Sequence, residues 1–243
     1  MIELAHFSKN YGSSTAVSDV SFTAKDSKIT GLLGANGAGK TTILKAICAI
    51  HYATSGSVLV DNINVEDEPL KVKSITGYVS ENPRFYENFT VIDFLKFIAD
   101  VRFSDLSRSV KPSTLKTQID YAIEACSLND VLSKKIAALS KGYRQRLAFA
   151  AAIMHEPKIL VLDEPVSGLD PVQIQEMRAL IKSMSKNKTI LLSTHLMQEV
   201  SALCDEVVIL TKGRLAASGT PDEILQKIGK DNLEDAFLYF SKT

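Results

Sequence analysis

The chain has 243 residues, 45% hydrophobic and 23% charged, and its 28 basic and 28 acidic side chains balance to a formal net charge of zero. This is the composition of a globular protein and excludes a disordered, collagen-like or disulfide-stapled chain. Because no overall basic excess is present, we expect no nucleic-acid partner.

The N-terminal part of the sequence reads as short strands and one helix. Runs of β-forming residues between Gly, Ser and Asp turns predict strands at Ile2–Phe7, Val17–Ala24, Ile29–Leu33, Ser57–Val60 and Ile75–Ser80. Apolar residues three and four positions apart predict a helix over Lys40–Ile50. The segment Val91–Leu139 is predicted to be mostly helical, with a polar interruption at Ser104–Ser113.

The C-terminal half alternates between strands and helices. Strands are predicted at Ile159–Leu162, Thr189–Ser193 and Val207–Thr211, and helices at Pro171–Met184 and Leu196–Leu203. Asp170 before a proline, and the capping box Thr220–Glu223, are typical of helix N-termini. The alternation predicts an α/β fold with a mostly parallel sheet, interrupted by a helical subdomain at about 84–150.

The glycine-rich segment Gly34–Thr41 matches GxxxxGK[ST] between a predicted strand and a predicted helix, as this motif requires. Its backbone N–H groups would face phosphate oxygens, and the helix N-terminus adds its positive dipole end. Lys40 would reach the β- and γ-phosphates, and the Thr41 hydroxyl would ligate Mg²⁺. The predicted nucleotide-binding residues here are Gly34, Asn36, Gly37, Ala38, Gly39, Lys40, Thr41 and Thr42. The alternative is a plain glycine-rich turn.

Two acids follow the apolar strand Ile159–Leu162. The strand would carry both to the carboxyl edge of the sheet, where open α/β sheets bind ligands. Asp163 fits a carboxylate that holds Mg²⁺, and Glu164 fits a general base or a group that orients the attacking water. Without the phosphate loop, the same pattern would be interpreted as a strand that runs into an acidic turn.

Further motifs, in this order, resemble the nucleotide-binding subunit of ATP-binding-cassette (ABC) transporters. Leu139–Tyr143 (LSKGY) stands at the LSGGQ signature of that family, Ser167–Asp170 (SGLD) at its D-loop, and Ser193–His195 (STH) at its switch histidine. Tyr11 stands where the family has an aromatic residue that stacks on adenine. The likeness spans almost the whole chain, and several ordered motifs are far more specific than one phosphate loop.

The resemblance implies a fold and an assembly. The fold is a P-loop NTPase core with a mostly parallel sheet, an N-terminal antiparallel β-subdomain and an inserted helical subdomain. It forms a single domain over residues 1–243, with a C-terminal extension from about 220 to 243. The cofactors are ATP and Mg²⁺. Two subunits pair head to tail, so that Ser140 and Gly142 of one contact the γ-phosphate held by the other.

Two of the implied site residues have structural alternatives. His195 would contact the γ-phosphate or the attacking water, but a lone histidine at the end of a strand is usually structural or merely exposed. Tyr11 would stack on adenine, but a tyrosine in an N-terminal turn often serves only for packing. Both roles therefore depend on the resemblance.

Three positions depart from the family pattern. Glu81 stands where the family usually has a glutamine that contacts Mg²⁺ and the attacking water. A carboxylate can still ligate Mg²⁺. We hypothesise that Glu81 is functional and makes turnover more Mg²⁺-dependent, with an exposed loop acid as the alternative. Lys141 and Tyr143 replace two signature residues, while Ser140 and Gly142 remain.

The resemblance also implies partners and a location. We expect a homodimer with a second ABC ATPase subunit and an integral membrane permease subunit, contacted near Asn82–Tyr86. The protein is then cytoplasmic and peripheral to the inner membrane. This agrees with the absence of a long apolar run or signal peptide and with three separate cysteines, Cys48, Cys126 and Cys204.

The tail Asp231–Phe237 resembles the closing helix of bacterial ABC-2-type exporter ATPases, which favours export. Its alternative is an amphipathic terminal helix that simply packs on the core. The alternative function is a non-transport ABC-type ATP switch that drives a protein or nucleic-acid partner.

Overall fold

The structure, a computed structural model, describes residues 1–104, 112–230 and 232–242. The strands in chain order are β1 Ile2–Tyr11, β2 Ser14–Ala24, β3 Ile29–Leu33, β4 Ser55–Val60, β5 Ile63–Asn64, β6 Thr76–Val79, β7 Ile159–Asp163, β8 Thr189–Thr194, β9 Glu206–Thr211 and β10 Arg214–Gly219. The helices are α1 Lys40–Ile47, α2 Pro69–Ile75, α3 Val91–Ser104, α4 Pro112–Ala125, α5 Lys141–Ile153, α6 Pro171–Ser185, α7 Met197–Leu203, α8 Pro221–Ile228 and α9 Leu233–Lys242.

The N-terminal sheet is antiparallel, with strand order β2-β1-β4-β5. Its two long strands alternate, so that Ile2, Leu4 and Phe7 on β1 and Val17 and Val20 on β2 are buried while polar neighbours face solvent. Such alternation is typical of a sheet with one face on the core. The implied antiparallel β-subdomain is therefore confirmed.

The second sheet has the order β10-β9-β3-β8-β7-β6, and its pairs are parallel except β10 with β9. All residues of β3, β7 and β8 are buried, as expected for central parallel strands covered on both faces. The predicted α/β class with a mostly parallel sheet is confirmed. Because parallel neighbours end at one edge, the segments that follow β3, β6, β7 and β8 meet there.

The helix after the phosphate loop is shorter than predicted, because it ends at Ile47 instead of Ile50. Ala49 has φ 52°, and the Ile50 N–H donates to the Lys45 carbonyl at 2.9 Å. A left-handed residue followed by a hydrogen bond to the carbonyl five residues earlier is a common way for a helix to end. Because alanine takes the left-handed position that glycine usually occupies, the sequence did not indicate that the helix ends here.

The predicted helical segment Val91–Leu139 is only partly helical. It contains α3 and α4, followed by two short 3₁₀ turns, Asn129–Val131 and Ile136–Ala138. The predicted interruption at Ser104–Ser113 lies mostly outside the described residues, because 105–111 are not described. Within the described ranges, no helix is long and apolar enough to cross a bilayer.

Candidate functional site

The phosphate loop joins β3 to α1 with two glycines at positive φ, Gly37 at 81° and Gly39 at 98°. A Cβ on Gly39 would lie 2.8 Å from Val17 Cγ2 and 2.9 Å from the Ala16 carbonyl oxygen. Both the left-handed backbone and the close approach to β2 therefore require glycine at position 39. Helix α1 begins immediately afterwards, at Lys40, with its N-terminus at the loop.

A cleft of about 450 Å³ opens beside this loop. It is lined by Ala16, Asn36, Gly37, Gly39, Lys40, Thr41, Thr42, Glu81 and Glu164. The sheet edge thus brings residues from β2, from the phosphate loop and from the segments after β6 and β7 to one cavity. Backbone N–H groups at a helix N-terminus and a lysine in such a cleft suit a phosphate ligand.

Lys40 is 6% exposed, and its ammonium is held by the loop itself. It donates to the carbonyl oxygens of Gly34 at 2.7 Å and Ala35 at 3.2 Å. It also lies 3.3 Å from Glu164 Oε1, within ion-pair distance. The ammonium is therefore already inside the cleft and paired with a carboxylate there.

Asp163, 2% exposed, ends β7 and accepts three hydrogen bonds. Thr41 Oγ1 donates to Oδ1 at 3.2 Å, Ser193 Oγ donates to Oδ1 at 2.7 Å, and the Tyr78 hydroxyl donates to Oδ2 at 3.5 Å. Burial and the Asp163 charge raise the pKa of the Tyr78 hydroxyl, so that it stays a donor. These contacts fix the carboxylate beside the Thr41 hydroxyl.

The residues at this point fit a Mg²⁺ ion, which prefers hard oxygen ligands and keeps waters and ligand phosphates in its shell. Thr41 and Asp163 offer a hydroxyl and a carboxylate in contact with each other. Across the described ranges, no cluster of three or more His, Cys, Asp and Glu residues is arranged to hold a metal alone. The site therefore suits a cation that is completed by a phosphate ligand.

Glu164 is 8% exposed and has φ 49°, a left-handed conformation that is unusual for this residue type. Its backbone N–H donates to Ser193 Oγ at 3.0 Å, and Oε2 lies 2.9 Å from His195 Nδ1. Its Oε1 is buried without a hydrogen bond, although the Lys40 ammonium is nearby. Non-glycine residues held in this region cluster at functional sites.

The structure brings together most of the predicted site residues, but five of them (Tyr11, Gly34, Ala38, Ser140 and Gly142) do not line the cleft or contact its acids. Tyr11 is 51% exposed and packs edge-on against His51, with ring centroids 6.0 Å apart. Ser140 caps α5, where its Oγ accepts from the Tyr143 N–H at 3.4 Å. Gly142 lies against Gln173 of α6. Ala38 is a buried residue of the phosphate loop, and Gly34 at the start of the loop accepts a hydrogen bond from the Lys40 ammonium through its carbonyl.

Two residues in contact with the buried acid were not assigned to the site by the sequence analysis. Ser193 pairs in register with Asp163 across β7 and β8, and it contacts both acids. The sequence signal that could have identified Ser193 is its position two residues before His195. Tyr78 lies inside a short predicted strand, where nothing in the sequence separates a tyrosine that packs from one that bonds to a carboxylate.

Comparison with known proteins gives a family match. Residues 17–167 match the model of the ABC transporter family. The ABC transporter ATP-binding protein YhcH of Bacillus subtilis is 33% identical over 99% of this chain and 74% of its own length. The "Bacitracin transport ATP-binding protein BcrA" of Enterococcus faecalis is 35% identical over 88% of this chain and 68% of its own length.

A relative in Escherichia coli is much longer than the matched region. This protein, named "Probable multidrug ABC transporter ATP-binding protein YbhF", is 36% identical over 97% of this chain but only 40% of its own length. Among solved structures, the ATP-binding subunit of an ABC transporter superposes with a TM-score of 0.87 at 27% identity, covering 99% of both chains. A dimeric bacterial ABC transporter cassette superposes with a TM-score of 0.81 at 22% identity, over 90% of this chain and 98% of that one.

Proposed function

This chain belongs to the ABC transporter family and is the ATP-binding, ATP-hydrolysing subunit of such a transporter, and on that premise we propose how its residues divide the work. The observation that supports the proposal is the contact network Lys40–Glu164–His195, beside Thr41–Asp163, in one cleft. ATP hydrolysis needs phosphate binding, a metal-supporting carboxylate and a base for water, and these contacts provide all three. Residues 1–243 act as a single ATPase domain.

The phosphate loop and its lysine bind the triphosphate. The N–H groups of the loop and of the first turn of α1 face the phosphates, and Lys40 exchanges its bond to the Gly34 carbonyl for phosphate oxygens. Thr41 and Asp163 would hold Mg²⁺, and Glu81 at the cleft wall would offer a further oxygen ligand. When bound, the ion neutralises charge on the transferred phosphoryl group.

Glu164 is the general base for the attacking water. Its short distance to His195 Nδ1 fixes the direction of the carboxylate, and Lys40 leaves Oε1 when it moves to the phosphates. That step frees a buried carboxylate oxygen in a site from which solvent is largely excluded. His195, positioned through Glu164 and exposed on its other side, contacts the γ-phosphate.

Tyr11 stacks on the adenine ring. Its ring is half exposed at the end of β1, with the Lys9 ammonium 5.4 Å from its centroid and His51 at its edge. These two neighbours restrain the ring while they leave surface for a base. Aromatic rings prefer offset-stacked or edge-to-face partners of this kind.

Ser140 and Gly142 complete the site of a second copy. Ser140 caps helix α5, Gly142 lies in its first turn, and neither lines the cleft of its own chain, so their phosphate contact has to be made across a head-to-tail interface. The solved cassette with the same fold described as dimeric supports this arrangement. We propose a homodimer in which each ATP is held by the phosphate loop of one subunit and the signature segment of the other.

The dimer powers export through a separate integral membrane permease, and the subunit is cytoplasmic and peripheral to the inner membrane. Relatives named for multidrug and bacitracin transport support export over a non-transport ATP switch. Tyr86, which is 55% exposed and packs against Phe89 and Phe97, is the candidate anchor for the permease.

The first test is ATP hydrolysis by the purified chain. We expect Mg²⁺-dependent release of phosphate that Lys40→Ala abolishes, because the ammonium inside the cleft is lost. Lys45→Ala is the matched control, since Lys45 lies on the same helix outside the cleft and should leave the rate unchanged. Equal rates for wild type and Lys40→Ala would contradict the assignment.

A further inference from the structure

The C-terminal helix α9 packs behind the strand that leads into the phosphate loop. Leu233 and Ala236 of α9 are buried in a cluster with Leu33, the last residue of β3, and Ile209 of β9. Phe237 and Phe240 pack against the margin of the same cluster. The helix is therefore anchored at the base of the nucleotide site.

A second cavity, of about 230 Å³, lies between α9 and the phosphate loop. It is lined by Ala35, Asn36, Gly37 and Ala38 of the loop, by Leu210, Thr211 and Lys212, and by Phe237. Asn36 and Gly37 also line the nucleotide cleft. Asn36 and Gly37 thus border the nucleotide cleft on one side and this smaller cavity, which Phe237 helps to line, on another.

The loop is closely packed at Gly34, Ala38 and Gly39 but more open at Gly37. A Cβ on Gly34 would lie 2.8 Å from the Leu210 carbonyl oxygen, and one on Gly39 would lie 2.9 Å from that of Ala16. A Cβ on Gly37 would meet no atom within 4 Å. On the side to which a Gly37 side chain would point, the loop therefore has open space, and close packing does not restrain it there.

We propose that Phe237 is a positioning residue for nucleotide binding: its ring limits how far the middle of the phosphate loop moves back into this cavity. A loop held forward keeps its N–H groups directed at phosphate before the ligand arrives, and such preorganisation raises affinity. The inference rests on the proposed ATP-binding function. It assigns to the C-terminal extension a role in the strength of nucleotide binding.

The test is calorimetric titration of Mg²⁺–ADP into the full chain, because ADP engages the loop without turnover. We expect Phe237→Ala to weaken ADP binding on the order of tenfold, since displaced binding groups lose affinity steeply. Phe237→Leu, which still fills part of the space, should stay within about twofold of wild type. In ATPase assays, Phe237→Ala should raise KM and leave kcat within about twofold, because the contacts of Glu164 are unchanged.

Phe240→Ala is the matched control. Phe240 lies one helical turn away, packs against the same cluster and does not line the cavity. Both alanine variants should lower Tm, whereas only Phe237→Ala should weaken ADP binding. Equal ADP affinity for wild type and Phe237→Ala, or equal weakening by both variants, would overturn the inference. Failure of the wild-type chain to bind ADP or ATP would instead overturn the proposed function.

Discussion

The proposed catalytic residues at the edge of the sheet and the proposed signature segment on α5 differ in how many of their contacts a single chain supplies. Glu164 already contacts both Lys40 and His195 within one chain. Ser140 and Gly142 instead contact the first turn of their own helix and α6, and they do not line the cleft. One half of the proposed site is complete in a single chain, while the other half needs a partner.

The difference follows from how each region is held. Asp163 and Ser193 are cross-strand partners in a buried parallel sheet, so the strand register itself fixes the contact between them. The signature segment is carried by a helix that touches this sheet near Gly77, where a Cβ would lie 2.3 Å from the Ala152 carbonyl oxygen. A helix attached at such a junction is able to present its N-terminus outward.

The largest expected effect on ATP hydrolysis comes from a substitution in the part of the site that one chain supplies by itself. Glu164→Gln should lower the rate of ATP hydrolysis by about 10²–10⁴-fold, because an amide cannot accept the proton of the attacking water. ATP binding should persist, so ATP should accumulate in a stable dimer. Phosphate release and size-exclusion chromatography with ATP measure the two effects. A Glu164→Gln chain that stays monomeric at saturating ATP would count against the shared site.

Mixing two inactive chains tests the incomplete half. Lys40→Ala and Ser140→Ala chains should each be nearly inactive, but a mixed dimer contains one site with an intact Lys40 and an intact Ser140. We expect mixing to restore a substantial fraction of wild-type hydrolysis, measured as phosphate release. The control is a chain that carries both Lys40→Ala and Ser140→Ala, mixed with an excess of the Glu164→Gln chain. In that mixed dimer each of the two sites lacks at least one required residue, so hydrolysis should not recover. No recovery with well-folded chains would argue against a head-to-tail dimer.

The junction between the two regions should be sensitive to pH. His155 follows α5, and its Nε2 lies 3.2 Å from the Thr76 carbonyl oxygen of β6. Burial, and then the charge of Arg102, lowers the pKa of His155 to about 4 from its ordinary value of 6.5. The unfolded chain therefore binds more protons between these values, and stability falls as the pH drops from 6.5 towards 4.

When the pH falls from 7 to 5, the difference between the folded and unfolded pKa values of His155 should lower the free energy of unfolding by about 2 kcal/mol. Urea denaturation at the two pH values measures the loss. His155→Gln, whose amide is able to donate to Thr76, should show a smaller loss than wild type. An equal loss in both proteins would show that other groups cause it.

The smallest effect concerns Glu81, an exposed acid that lines the cleft and has no described contact with Glu164. As a proposed Mg²⁺ ligand, Glu81 would repel the triphosphate when the ion is absent, and bound Mg²⁺ would offset that repulsion. We expect Glu81→Gln to reduce, by a few-fold, the ratio of rates at saturating and at low Mg²⁺. ATPase titrations with Mg²⁺ measure this ratio. An unchanged rate and an unchanged ratio would leave Glu81 as a surface acid.

Local chemistry in the sequence was enough to predict the phosphate loop, the acids after β7 and the caps at Asp170 and Thr220. The caps are confirmed: Asp170 Oδ1 accepts from the Gln173 N–H at 2.9 Å, and Thr220 forms a complete capping box. The buried strands were predictable because their apolar runs are short, rich in Ile, Leu and Val, and bounded by turn residues, which favours a strand over a helix. The C-terminus of α1 was not, since alanine takes the left-handed position there.

The sequence by itself determined which groups this protein brings to a nucleotide, because glycines, a lysine and two acids at fixed spacing carry their own chemistry. Only the tertiary structure decided that Tyr78 and Ser193 bond to Asp163, that Glu164 contacts both His195 and Lys40, and that Phe237 lines a cavity beside the loop. The physical reason is sequence separation. Contacts between residues far apart in the chain depend on sheet register and helix packing, and a local pattern does not specify these.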